Sequence, residues 1–117
     1  HIMENIRCKL YEMHAQVCQV FTSPKRLEIL DGLRNGECSV GALVKKLRVS
    51  QANLSQHLTI LREKGVVETR RDGTTIYYSL ANPRIIKAFD IIREMLLEKL
   101  TSQGKTAKDI LSTRKTG

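Results

Sequence analysis

Apolar positions along residues 4–21 recur with the period of an α-helix. Ile6, Leu10, Met13, Val17 and Val20 step by four and three, and Cys8, Tyr11, Ala15 and Cys18 form a second, softer stripe. A helix with two apolar faces needs two partners, and in so short a chain one of them is expected to be another subunit. Thr22-Ser23-Pro24 then signals a helix start, with Ser23 as N-cap and Pro24 at the first helical position. Leu27, Ile29, Leu30 and Leu33 carry that helix to a stop at Asn35-Gly36. Ser39 caps a third helix through Val40, Leu43, Val44 and Leu47. Ser50 caps a fourth from Gln51 to about Lys64, which Gly65 ends. Only Arg48 and Val49 separate Leu47 from Ser50, and two helices joined so tightly make a helix-turn-helix.

Beyond Gly65 the period falls to two. Val67, Thr69 and Arg71 alternate on one strand, and Thr74, Ile76, Tyr78 and Leu80 on the next, with Asp72-Gly73 as a two-residue hairpin signal. That turn predicts Thr69 opposite Ile76 and Val67 opposite Tyr78, with Arg70 beside Thr75 on the other face. Asn82-Pro83 opens a last helix to about Leu100. Its stripe is Ile85, Phe89, Ile92 and Leu96, widened by Ile86, Met95 and Leu100. The order of elements is mainly α with a small β-hairpin, a winged helix-turn-helix over residues 4–100. His1-Ile2 before Met3 reads as a cloning remnant. Residues 101–117 read as a basic tail, mostly mobile, with a faint helical patch at 107–111.

Composition narrows the function. An apolar share of 41% in 117 residues can build one core, and no stretch of about 20 residues is uniformly apolar, which excludes a membrane span. The sequence has no Trp, two Phe and two Pro. It offers no Gly-rich phosphate loop, Ser-His-Asp arrangement or paired-carboxylate pocket, so no enzyme is expected. The net charge of +8 is unevenly placed: residues 45–84 hold eight basic against three acidic groups, and residues 99–117 hold five against one. A polyanion partner is implied.

The fourth helix says which one. At 100° per residue, Leu54, Leu58 and Leu61 share one side and must pack inward. The other side shows Ala52, Gln56, Thr59 and, at the far end, Glu63, flanked by Ser55, with Gln51 in the first turn; the first three with Ser55 and Gln51 lie toward the start. Gln can pair bidentately with adenine, Ser can donate or accept, and an Ala methyl can touch thymine. These five are the candidate base readers in double-stranded DNA. Lys45, Lys46, Arg48, Arg62, Arg70, Arg71 and Thr75 are the candidate phosphate contacts that position the helix. His57, beside the leucine stripe, reads as a hydrogen-bonded packing residue. A winged helix that binds another protein is the rival; it would more often expose large apolar groups where this helix exposes Gln, Ser and Thr.

Three segments together resemble the ArsR/SmtB family of repressors: Ser23 to Leu30 (SPKRLEIL), Val49 to Val67 (VSQANLSQHLTILREKGVV) and Arg70 to Leu80 (RRDGTTIYYSL). The resemblance covers about residues 10–100. It implies a homodimer built from the first and last helices, and two recognition helices in successive major grooves, roughly 34 Å apart on an imperfect palindrome. It also implies repression by blocking a promoter, relieved by an inducer that weakens DNA binding.

The family's best-known inducer sites are not matched. Ser39 and Gly41 flank Val40 where arsenic and cadmium sensors carry a thiolate pair. Asp90 is present for a last-helix zinc site, but no His follows His57. Asp31 stands where persulfide sensors place the first Cys, and no Cys follows Cys38. Cys8, Cys18 and Cys38 are too few and too unevenly spaced for a disulfide framework and fit a reducing cytoplasm. Two readings stay open. Cys8 and Cys18 are small packing residues in the dimer stripe, or the cysteines sense: His14 and Cys18, at i and i+4, hold a soft metal with Cys8 one stripe away, the three thiols trap trivalent arsenic if Cys38 of either subunit comes close, or the thiols respond to a thiol-reactive, redox inducer. A repressor with no inducer is a further alternative.

Overall fold

Three serines start three helices. The Arg26 N–H donates to Ser23 Oγ at 3.3 Å, the Ala42 N–H to Ser39 Oγ at 3.1 Å, and the Asn53 N–H to Ser50 Oγ at 3.2 Å. Each bond satisfies one of the N–H groups that a helix start leaves without an internal partner. The computed structural model describes residues 1–104, so the expectations for residues 105–117 lie outside the described residues. Two compact units divide the chain: one over His1–Pro83, the other from Arg84 onward.

The first unit begins with α1 (Ile2–Cys18), which tightens into a 3-10 turn (Gln19–Thr22). The long first helix expected over 4–21 therefore changes pitch in its last turn. Arg26 holds that turn: its Nε donates to the Val20 carbonyl at 3.3 Å and its Nη2 to that of Gln19 at 3.1 Å. Next come α2 (Pro24–Gly32), β1 (Cys38–Ser39), α3 (Val40–Leu47), α4 (Gln51–Glu63), β2 (Val67–Asp72) and β3 (Thr75–Leu80). α2 stops earlier than Asn35-Gly36, at Leu33. The second unit is α5 (Ile85–Ser102), which begins two residues after Pro83.

The core of the first unit is aliphatic. Val20, Ile29, Leu30, Leu33, Leu43, Leu54, Leu58, Leu61, Val66, Val67 and Leu80 are all buried. The stripe Leu54, Leu58 and Leu61 is at most 1% exposed, as its spacing requires. The upper part of the α1 stripe is different: Ile6, Leu10 and Met13 are exposed, while Val20 at its end is enclosed. In the second unit Phe89 is buried, and Ile91, Ile92, Met95 and Leu96 are exposed.

The hairpin register differs from the expectation. Asp72 pairs with Thr75, so Gly73 and Thr74 form the turn, and Thr69 lies opposite Tyr78, Arg70 opposite Tyr77 and Val67 opposite Leu80. Gly73 has φ +63 and Thr74 a negative φ, the pattern of a type II′ turn with Gly in its first central position. The strong Asp-Gly signal misplaced the turn by one residue on each strand. Because the shift in pairing is two, the alternation of faces survives. β1, too short to carry a period, joins the hairpin: Cys38 pairs with Tyr78 and Ser39 with Tyr77, giving a three-stranded antiparallel sheet in the order β1-β3-β2.

Candidate nucleic-acid interface

The recognition candidate α4 is set by its neighbours on both sides. Before it, the chain leaves α3 through Arg48 in the left-handed conformation (φ 55, ψ 47), with the Arg48 N–H donating to the Val44 carbonyl at 2.9 Å. Ser50 is then in extended backbone (φ −68, ψ 148) and caps the next helix. A non-glycine residue in the left-handed region costs roughly 1 kcal/mol, repaid here by closing the turn between two buried leucine-bearing helices. After α4, Gly65 adopts φ +73 and the Val66 N–H reaches back to the Leu61 carbonyl at 3.0 Å, a glycine stop of the left-handed type.

With Leu54, Leu58 and Leu61 turned inward, Gln51, Ala52, Ser55, Gln56 and Thr59 are all exposed. They form one polar edge of small and amide side chains. The Thr59 hydroxyl donates to the Ser55 carbonyl at 2.9 Å, which leaves its oxygen free to accept. No acidic residue occupies the first turn of α4, so the partial positive charge of the helix start is not offset there. Gln51 also borders an open groove of about 420 Å³ whose other walls include Val40, Thr74, Thr75 and Ile76. The start of the recognition candidate and the wing turn therefore share one concavity.

The candidate phosphate contacts do not all stand alike. Lys45, Arg48, Arg62 and Arg71 are exposed with their charges outward. Lys46 is exposed along its stem, but its Nζ donates to the Gly32 carbonyl at 2.9 Å, tying α3 to the end of α2. Thr75 is half-buried in the groove. Arg70 is committed to Glu37: its Nη2 reaches Oε1 at 2.6 Å and its Nε reaches Oε2 at 3.1 Å. Its guanidinium also lies 4.6 Å from the centre of the Tyr77 ring. The hydrogen bond from Arg70 holds the Glu37 carboxyl below its ordinary range, and Glu37 raises Arg70 in return. Glu37 was not legible beforehand. It lies 33 positions from Arg70, in a segment with no period.

His57 packs beside the leucine stripe as expected but without the expected hydrogen bond, since its enclosed Nδ1 has no protein partner. Burial, then the nearby charges of Arg26 and Lys25, hold its pKa below 6.5. The four sensor candidates are dispersed. Cys8, His14 and Cys18 are exposed along α1, while Cys38 is half-buried, its thiol facing the carbonyls of Gly32 and Gly36 at 3.8 and 3.9 Å. Among the described residues no three His, Cys, Asp or Glu side chains come together as a metal-binding group.

This arrangement of a tight two-helix turn, an exposed polar edge on the second helix and a β-hairpin wing defines a winged helix-turn-helix regulator. Residues 23–69 match the bacterial regulatory protein family arsR. The chain is 43% identical over 84 residues to the nodulation protein NolR of Rhizobium meliloti, an alignment covering 72% of this chain and 69% of that one. It is 38% identical over 78 residues to the biofilm growth-associated repressor of Agrobacterium fabrum, with 67% of each chain covered. Among solved structures it is similar to the homodimeric winged helix-turn-helix DNA-binding domain of Mb0332 from Mycobacterium bovis. There the TM-score is 0.72 at 31% identity, covering 80% of this chain and 87% of that one. The chain belongs to the arsR family of bacterial transcriptional regulators.

Proposed function

We propose that this protein is a sequence-specific, non-enzymatic repressor that binds a palindromic operator in double-stranded DNA as a homodimer. The observation that carries this reading is the two-sidedness of α4: three buried leucines fix the helix, and the opposite edge presents Gln51, Ala52, Ser55, Gln56 and Thr59 to solvent. A rigid helix with amides and small groups at its leading end fits a major groove, where hydrogen-bond patterns distinguish all four base pairs. Lys45, Arg48, Arg62 and Arg71 sit around it as phosphate anchors. They fix register and supply the salt-dependent part of the affinity.

Dimerisation follows from apolar surface that one chain leaves uncovered. Ile6, Leu10, Met13 and Tyr11 on α1, and Ile91, Ile92, Met95 and Leu96 on α5, are each about half exposed or more. Exposed apolar groups in this number mark an association surface, and the related Mb0332 domain is homodimeric. Repression follows from occupying the promoter. Three free cysteines and a DNA partner fit a reducing cytoplasm. Among the described residues no helix is long and apolar enough to cross a membrane.

The test is selection of duplexes from a random pool, followed by titration of the selected and an unselected duplex across a salt series. Specific binding should survive competitor DNA and fall steeply with salt. Gln56→Ala should cost about 1–3 kcal/mol on the selected duplex and far less on the unselected one. Equal losses on both would refute the assignment of α4 as the reading element.

A further inference from the structure

Arg70 sits on β2, the outer edge of the hairpin, and Glu37 sits one residue before β1, at the opposite edge of the sheet. β3 runs between them, and its Tyr77 is the cross-strand neighbour of both Arg70 and Ser39. The guanidinium therefore lies over the central strand's ring and ends in a two-pronged bond to the far side. We infer that Arg70 is a positioning residue for DNA binding: with Glu37 and Tyr77 it fastens the wing to the segment that leads into α3, and it leaves the phosphate to its neighbour Arg71.

Three observations carry this. The fork geometry, 2.6 and 3.1 Å, uses both oxygens of the carboxylate, the arrangement in which a guanidinium is held in direction as well as in distance. The ring at 4.6 Å engages the guanidinium's flat face, so the side chain is bounded on two sides. Finally, the charge of Arg70 already has a partner at the surface, with side chains 53% and 40% exposed, so a DNA phosphate would have to compete with Glu37 for it. Arg71, on the other face of the same strand, is exposed and makes no such bond. The consequence is mechanical. Glu37 is followed directly by β1 and by Ser39, the cap of α3, so the fastening links the wing to the helix pair that carries the recognition edge.

This inference rests on the DNA-binding reading, and charge reversal tests it separately. The full chain, E37R, R70E, the swap E37R/R70E and the milder E37Q are titrated against the selected and unselected duplexes, with thermal unfolding of each variant recorded. Fastening predicts that E37R and E37Q bind the selected duplex at least threefold more weakly than the parent, although both remove a negative charge. The swap should return to within about threefold of the parent. A phosphate-contacting Arg70 predicts the reverse: E37R and E37Q tighten binding to both duplexes, and the swap stays as weak as R70E. Tighter binding by either Glu37 variant, or a swap that fails to recover, overturns the inference. If E37R fails to fold, the direction of the E37Q effect decides alone. Should the parent itself fail to prefer any selected duplex, the DNA-binding reading falls instead.

Discussion

Removing one hydroxyl, in Ser50→Ala, separates the stability of the recognition helix from its function. Ser50 Oγ accepts from the Asn53 N–H at 3.2 Å, and Ser23 Oγ makes the equivalent bond to Arg26 at 3.3 Å. The two caps are chemically alike, so each alanine variant should lose about 1 kcal/mol of stability. For a domain of this size that is a fall of about 4 °C in Tm, read by thermal unfolding at one fixed protein concentration because the proposed dimer would make Tm concentration-dependent. DNA affinity should divide them. In the proposed complex the first turn of α4, which carries Gln51 and Ala52, must be formed to enter the groove, so fraying of that turn is a cost that binding has to reverse. The ceiling on that cost is the lost cap itself, about 1 kcal/mol or fivefold in Kd. Fluorescence anisotropy with the selected duplex should therefore show Ser50→Ala weakened about two- to fivefold and Ser23→Ala within error of the parent. Equal effects of the two variants on affinity would refute the reasoning, as would a stability loss confined to one of them.

Arg71→Ala should weaken selected and unselected duplexes alike and flatten the slope of log affinity against log salt by about one; a changed base preference would mean that the wing reads sequence. Met95→Glu places a charge on an α5 surface that is 63% exposed in one chain, and sedimentation should show a shift from dimer to monomer; an unchanged dimer would move the interface elsewhere. His57 has a pKa held below 6.5 in the folded chain, so the unfolded chain takes up its proton first as pH falls. Its contribution to stability is therefore whole above pH 6.5 and declines below it. Denaturant unfolding at pH 7.5 and 5.5 should find His57→Gln less sensitive to acid than the parent, and equal sensitivity would remove His57 as a contributor.

The sequence determined what depends on near neighbours. Ser23, Ser39 and Ser50 announced three helix starts because a cap bonds three residues ahead, and the leucines of α4 announced its buried side because 3.6 residues make a turn. The exposed polar edge of α4 came from the same periodicity by subtraction. Tertiary structure decided what depends on distant partners or on a choice between nearly equal local states. A two-residue turn at Asp72-Gly73 and one at Gly73-Thr74 preserve the same alternation of faces. The folded sheet adopts the second, with Asp72 opposite Thr75. That choice brings Arg70 opposite Tyr77, within reach of Glu37. A carboxylate and a guanidinium 33 positions apart meet only because three strands lie side by side, and no local pattern encodes such a meeting. Arg48 took a left-handed conformation that its side chain does not favour, because two buried helices fixed where the turn had to go.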